Sequence, residues 1–282
     1  MKTDELEWSW GRLQNVKLQH RSVSQLKEYL DELGGCAYKY FLNRVVRAWD
    51  MPAAWFPQGL AVHEAAEYWE LSNRGVTRAQ VLEEYRRSYR EHYKRMIENT
   101  PNLNYWFPSW KYLGWDDITR RAFKGEEQIN KYLDYYQKHP YEVPWLTPKN
   151  ELSIELRFDM ILDGIKVIGY IDQIIWWVTD IPVHLSLRDI KTGKNPGDTL
   201  QLKVYDLAIE KEFGISIGVG DYFMAEKGKP TKPYDLTQMS ELQVTELFGK
   251  MDAGVRAEDF EPSPSPEKCR MCSVRAACQF AE

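Results

Sequence analysis

Two aspartates and a lysine give the first chemical signal in this chain. Asp189 and Lys191 flank Ile190 at the end of a segment whose odd positions, Val183, Leu185 and Leu187, are apolar. In an extended strand, a side-chain period of two sets Asp189 beside Lys191 and turns Ile190 away. Asp172 lies in the middle of Val167–Trp177, where both alternating rows are mostly apolar. That is the pattern of a central strand covered on both faces. An unpaired carboxylate there is costly, and a divalent cation is a leading way to compensate it. Two acids and a base so arranged suit a site that holds a metal and a water. A lone Asp-x-Lys is more often a surface ion pair, so the assignment depends on further elements that agree with it.

The flanking sequence supplies those elements. Glu151–Leu162 alternates, with Leu152, Ile154, Leu156, Phe158, Met160 and Leu162 on one face; Glu155 lies on the other and reads as a surface residue. Asp163-Gly164 is a two-residue hairpin turn into the central strand. Strands from about 151, 165 and 183 thus form an antiparallel meander. A helix over about 198–213, stopped by Gly214, carries Gln201 and Tyr205 one turn apart, although Asp198-x-x-Gln201 also has capping-box spacing. A strand over about 215–224 and a helix over about 240–254 complete an α/β body. Upstream, a helix over 60–71 places His63 and Glu67 on one face. Residues 77–139 read as a helical insertion, with aromatics (Tyr105, Trp106, Phe107, Trp110, Tyr112 and Trp115) that mostly pack it onto the body.

Composition sets the class. At 282 residues the chain is long enough for one large domain, or one with a substantial insertion. No apolar run approaches a membrane span, and Met1–Gly11 is unlike a signal peptide, so a cytoplasmic location and no membrane partner are expected. The net charge of −5 does not advertise nucleic-acid binding but leaves room for local basic patches. Four cysteines, Cys36, Cys269, Cys272 and Cys278, favour metal over disulfide in that compartment. Their spacing accommodates a four-thiolate iron–sulfur cluster or zinc.

Taken in order, these motifs resemble the RecB-like iron–sulfur branch of the PD-(D/E)XK nucleases, including AddB-type and CRISPR-associated RecB-like exonucleases. The matching residues are Cys36, Gly59-x-x-x-His63, Gly169-Tyr170-Ile171-Asp172-Gln173-Ile174, Asp189-Ile190-Lys191, Gln201-x-x-x-Tyr205 and the C-terminal cysteine triplet. The resemblance covers Ser22–His63 and Glu151–Cys278. It implies a restriction-endonuclease-like α/β core, with a mixed central sheet flanked by helices, a helical insertion and a C-terminal iron–sulfur segment. It implies divisions at 1–76 (first cluster cysteine and the histidine helix), 77–150 (insertion), 151–260 (nuclease core) and 261–282 (cluster segment).

By that resemblance, His63, Asp172, Asp189 and the Ile190 carbonyl bind Mg²⁺ or Mn²⁺, Lys191 serves the attacking water, and Gln201 and Tyr205 support the site. The four cysteines then hold a [4Fe–4S] cluster. The implied function is a metal-dependent deoxyribonuclease, an exonuclease on single strands or DNA ends in recombination, repair or spacer processing. Lys39, Arg44, Lys194 and Lys203 are the expected DNA contacts. No Gly-x-x-x-x-Gly-Lys-Ser/Thr loop is present, so any helicase, recombination or spacer-acquisition partner is a separate protein. Two alternatives are a DNA-binding adaptor with little activity, against which the intact acid–acid–lysine set argues, and a zinc-stapled structural protein.

Overall fold

The computed structural model describes residues 12–17, 19–109, 111–178 and 184–282; the expectations that fall on Met1–Gly11, Trp110 and Val183 lie outside these residues. In chain order, helix α1 (Val23–Tyr29) and helix α2 (Ala37–Tyr40), which continues as a π-helical turn over Phe41–Val46, precede α3 (Trp55–Leu71), α4 (Arg78–Asn99) and α5 (Gly114–Lys138). Strands β1 (Glu142–Pro144), β2 (Ile154–Leu162), β3 (Ile165–Trp177) and β4 (Leu185–Lys191) come next, then helix α6 (Thr199–Phe213) and strand β5 (Val219–Met224). Short strands β6 (Lys229–Pro230) and β7 (Tyr234–Asp235) and helices α7 (Glu241–Ala257) and α8 (Pro266–Arg270) complete the chain.

Local chemistry sets the element ends. Thr77 with Gln80 and Ser240 with Gln243 form reciprocal capping boxes at α4 and α7. Asp198 caps α6 through the Leu200 N–H, and left-handed Gly214 stops it. Asp163 and Gly164 both take positive φ, 46° and 77°, as the tight turn between β2 and β3 requires.

The chain divides into two compact units, Met1–Met51 with Asp159–Gly169 and Met239–Glu282, and Pro52–Phe158 with Tyr170–Gln238. The sheet runs β1-β3-β4-β5-β6, with β2 also paired to β3 and β7 to β5. Pairing of β3 with β4 is antiparallel, whereas β4 and β5 are parallel and joined by the α6 crossover. This is the mixed sheet flanked by helices expected for the α/β class. The strand expected from about 215 begins at Val219, and the helix expected to end near 254 continues to Ala257.

In the second unit, Ala61, Ala65 and Ala66 form the buried face of α3 and let α4 and α5 pack closely, with Tyr85, Tyr132 and Phe223 filling the centre. Strand alternation sends Arg188 to the opposite face from Asp189. There its guanidinium is held by Asp221 (2.7 and 2.8 Å) and Glu142 (2.6 Å), a satisfied buried network that fixes β4. In the first unit, buried Arg21 donates to Asp252 (2.8 Å), and the rings of Tyr29, Tyr40 and Phe260 cluster. Among the described residues, no helix is long and apolar enough to cross a membrane.

Candidate functional site

The second unit gathers the predicted chemical residues at the middle of β3 and the end of β4. One residue beyond the Gln173–Arg188 pair, Asp172 Oδ2 accepts the Ile190 N–H at 2.8 Å. Helix α3 brings in His63. Its Nδ1 lies 3.3 Å from Asp172 Oδ2 and 3.5 Å from Glu155 Oε1, and its Nε2 donates to the Ile190 carbonyl at 3.0 Å. That carbonyl, expected as a metal ligand, accepts from the imidazole and so fixes which nitrogen faces the acids.

Glu155 corrects the reading of the sequence, in which it was a surface residue. It adopts φ 45° within β2, a left-handed conformation that departs from regular strand geometry, and its carboxylate joins the cluster. Backbone strain of this kind at a non-glycine residue persists where the surroundings hold it, commonly at working sites. Potential ligand atoms of His63, Glu155 and Asp172 all lie within 4.8 Å of one another.

Asp189 is buried beside this trio. Its Oδ1 accepts from Gln201 Nε2 (2.6 Å) and the Tyr205 hydroxyl (3.3 Å). Its Oδ2 has the Lys191 ammonium at 2.7 Å but accepts no aligned hydrogen bond. Lys191 Nζ also donates to Gln201 Oε1 at 3.1 Å, so the Gln201 amide joins base to acid; only Asp198 caps the helix.

The electrostatics follow from burial and like charge. Burial and then the Asp189 charge push Asp172 up to about 7. Burial would lower His63, but Asp172 and Glu155 outweigh it and hold the imidazole at about 9. Burial, with Asp189 next, raises Tyr205 far enough to keep it a neutral donor. Several acids and one imidazole converging on a small volume, with a buried carboxylate oxygen left without a hydrogen bond, form a donor set that fits a hard divalent cation. A cleft of about 490 Å³ opens onto it, lined by Trp55, Phe56, Leu60, His63, Glu67 and Glu155 among others.

The helical insertion reaches the site through a relay that sequence inspection did not anticipate. Arg121 donates to Gln58 Oε1 (2.9 Å), Gln58 to Gln128 Oε1 (2.6 Å), and Gln128 to the Thr192 carbonyl (2.9 Å), next to Lys191. Both glutamines are fully buried. Gln128→Leu strands the Gln58 amide and the Thr192 carbonyl, and should cost about 2 kcal/mol or more. Denaturant melts measure this; an unchanged midpoint would show that the relay supports nothing.

In the first unit, Cys36, Cys269, Cys272 and Cys278 line one cavity of about 360 Å³. Burial pushes Cys272 up. For Cys36, backbone donors led by the Ser263 N–H (3.5 Å to Sγ) outweigh burial and lower it, which favours thiolate. Gly35 is required beside it, because a Cβ there would lie 2.5 Å from the Lys27 carbonyl oxygen.

The expected DNA contacts are scattered in character. Lys194 is exposed, and Arg44 is exposed but paired with Glu28 at 3.0 Å. Lys39 lines the cysteine cavity. Lys203 is corrected: it is buried and bound to Asp206 at 2.9 Å, one helical turn on, and so is not available to a phosphate.

The profile of the PD-(D/E)XK nuclease superfamily matches residues 20–279. The chain is 41% identical over 271 residues to the Gene 69 protein of Mycobacterium phage D29, covering 93% of this chain and 97% of that protein. It is 37% identical over 285 residues to the Gene 69 protein of Mycobacterium phage L5, covering 92% and 95%.

Proposed function

We propose, from the premise that this chain belongs to the PD-(D/E)XK nuclease superfamily, that it is a Mg²⁺- or Mn²⁺-dependent deoxyribonuclease acting on single-stranded DNA or DNA ends. The observation that carries this reading is the convergence of His63, Glu155 and Asp172 beside the Asp189–Lys191 pair. His63, Glu155, Asp172 and Asp189 would hold the cation. A divalent ion bound there supplies Lewis-acid charge to a phosphoryl oxygen and acidifies a water. Lys191 carries the positive charge that faces the developing phosphorane or orients the water, and Gln201 fixes its ammonium. Tyr205 and Gln201 share the remaining lone pairs of Asp189, holding the carboxylate in one orientation.

The finer reading is the RecB-like iron–sulfur branch, with exonuclease action in recombination, repair or spacer processing and DNA delivered by a separate partner. It is supported by the order of the motifs and by the four thiols around one cavity. The four thiols line one cavity, and four thiolates are the donor set that a [4Fe–4S] cluster takes.

End-labelled single- and double-stranded DNA incubated with the pure protein tests the activity. Cutting is expected with Mn²⁺ or Mg²⁺ and none with EDTA; cutting undiminished by EDTA, or none with either metal, defeats the reading.

A further inference from the structure

Helix α3 carries an apolar stripe that the core uses and a second stripe whose apolar end it does not. Ala61, Val62, Ala65 and Ala66 are buried. A second stripe, Phe56, Leu60, His63 and Glu67, follows i, i+4, i+7, i+11 spacing and lines the cleft. Its first two members stay open to solvent, Phe56 at 50% and Leu60 at 51% exposure, although burying such side chains is what normally stabilises a helix. Trp55, behind them in the same cleft, is pinned between Phe56 and Phe107 with the Arg121 guanidinium 5.7 Å from its ring. The apolar shelf therefore runs directly into the histidine of the metal cluster. With a rise of about 1.5 Å per residue, Leu60 precedes His63 by about 4.5 Å along the helix and Phe56 by about 10 Å, distances within the span of a nucleotide and its neighbour.

We infer that Phe56 and Leu60, backed by Trp55, form a platform for an unpaired nucleobase next to the scissile phosphate. The inference rests on the hydrolase reading above and names its substrate class. A paired base presents its faces to its stacked neighbours and not to the protein, so the platform accepts a strand whose bases are free. Acids line the rest of the cleft, Glu64, Glu67, Glu155 and Asp172. They repel a phosphate that arrives without a cation, so the apolar end is where the neutral part of a nucleotide is held. Aromatic and apolar side chains hold bases of any sequence in this way.

The test compares cleavage, with Mn²⁺, of a single-stranded oligonucleotide and of an abasic sugar–phosphate strand of the same length. Wild-type protein is expected to cut the strand with bases about 10-fold faster or more. The Phe56→Ala Leu60→Ala variant should lose that advantage, its rate falling far more on the strand with bases than on the abasic strand, and Phe56→Trp, which keeps a ring, should retain it. Both side chains are half in solvent, so truncation removes little packing. A variant that keeps the wild-type preference overturns the platform, as does one that loses rate equally on both strands while Phe56→Trp does the same. Wild-type protein that cuts duplex ends but neither of these strands overturns the platform alone; protein that cuts no DNA at all overturns the hydrolase reading and the platform with it.

Discussion

Asp189→Asn and Lys191→Ala should each lower phosphodiester cleavage by about 10³-fold or more, a loss of about 4 kcal/mol of transition-state stabilisation. Asparagine keeps the volume of Asp189 and an oxygen for Gln201 and Tyr205, so the surrounding hydrogen bonds survive while the charge that faces Lys191 and the cation is lost. Lys191 is partly exposed at the strand end, and its removal leaves Asp189 with two hydrogen-bond donors. Thermal melts of metal-free Asp189→Asn should therefore match or exceed wild type, because Asp172 and Asp189 bury like charge together, whereas Lys191→Ala, which takes the counter-charge from buried Asp189, should melt lower. Single-turnover cleavage of labelled DNA measures the rate. An Asp189→Asn protein with wild-type single-turnover rates would remove this carboxylate from the mechanism.

The second large effect belongs to the cysteines. Cys36 lies more than two hundred residues from Cys269, yet both face one cavity. Joining them through the proposed cluster would close nearly the whole chain into a loop, which by analogy with a disulfide removes about 5 kcal/mol of freedom from the unfolded state. Ligation is also part of folding, since no such site exists in the unfolded chain. On the proposed cluster, the purified protein should absorb in the visible, and Cys36→Ala and Cys278→Ala should each abolish that absorption, lower the melting temperature by 10 °C or more (about 2–4 °C per kcal/mol in a chain of this size) and reduce soluble yield. No residue around the cavity shares the acid and base of the cleft, so specific activity per folded molecule at low temperature should be close to wild type. A folded, colourless variant that binds DNA normally but does not cut would give the cluster a direct part in cleavage.

The motif residues were legible because they sit on regular elements. Asp189 and Lys191 meet at 2.7 Å since two residues of strand return to the same face, and Gln201 meets Tyr205 since four residues of helix do. Glu155 was not legible: alternation assigns it to the solvent side, and its positive φ is set by the folded surroundings and has no sequence signature. Lys203 was misread because a lysine in a motif helix suggests phosphate; Asp206 three residues later was the available sign of an internal pair. The Gln58–Gln128–Thr192 relay joins residues up to 134 positions apart, and a glutamine in an amphipathic helix looks the same whether buried or exposed. The return of Asp159–Gly169 and Met239–Glu282 to the N-terminal unit is likewise a long-range matter that linear patterning does not encode.

His63, Glu155, Asp172 and Asp189 together would make the proposed divalent-cation centre. Titration of the protein with Mn²⁺, followed by the loss of the free-ion electron paramagnetic resonance signal, tests it without reference to cutting. Wild-type protein should take up at least one Mn²⁺ per chain; Glu155→Gln should bind about 10-fold more weakly or worse, since even outer-shell changes at metal sites cost that much. Asp172→Asn combined with Asp189→Asn should leave the free-ion signal undiminished. Equal Mn²⁺ uptake by the wild-type and doubly substituted proteins would contradict the assignment of this cluster as the metal centre.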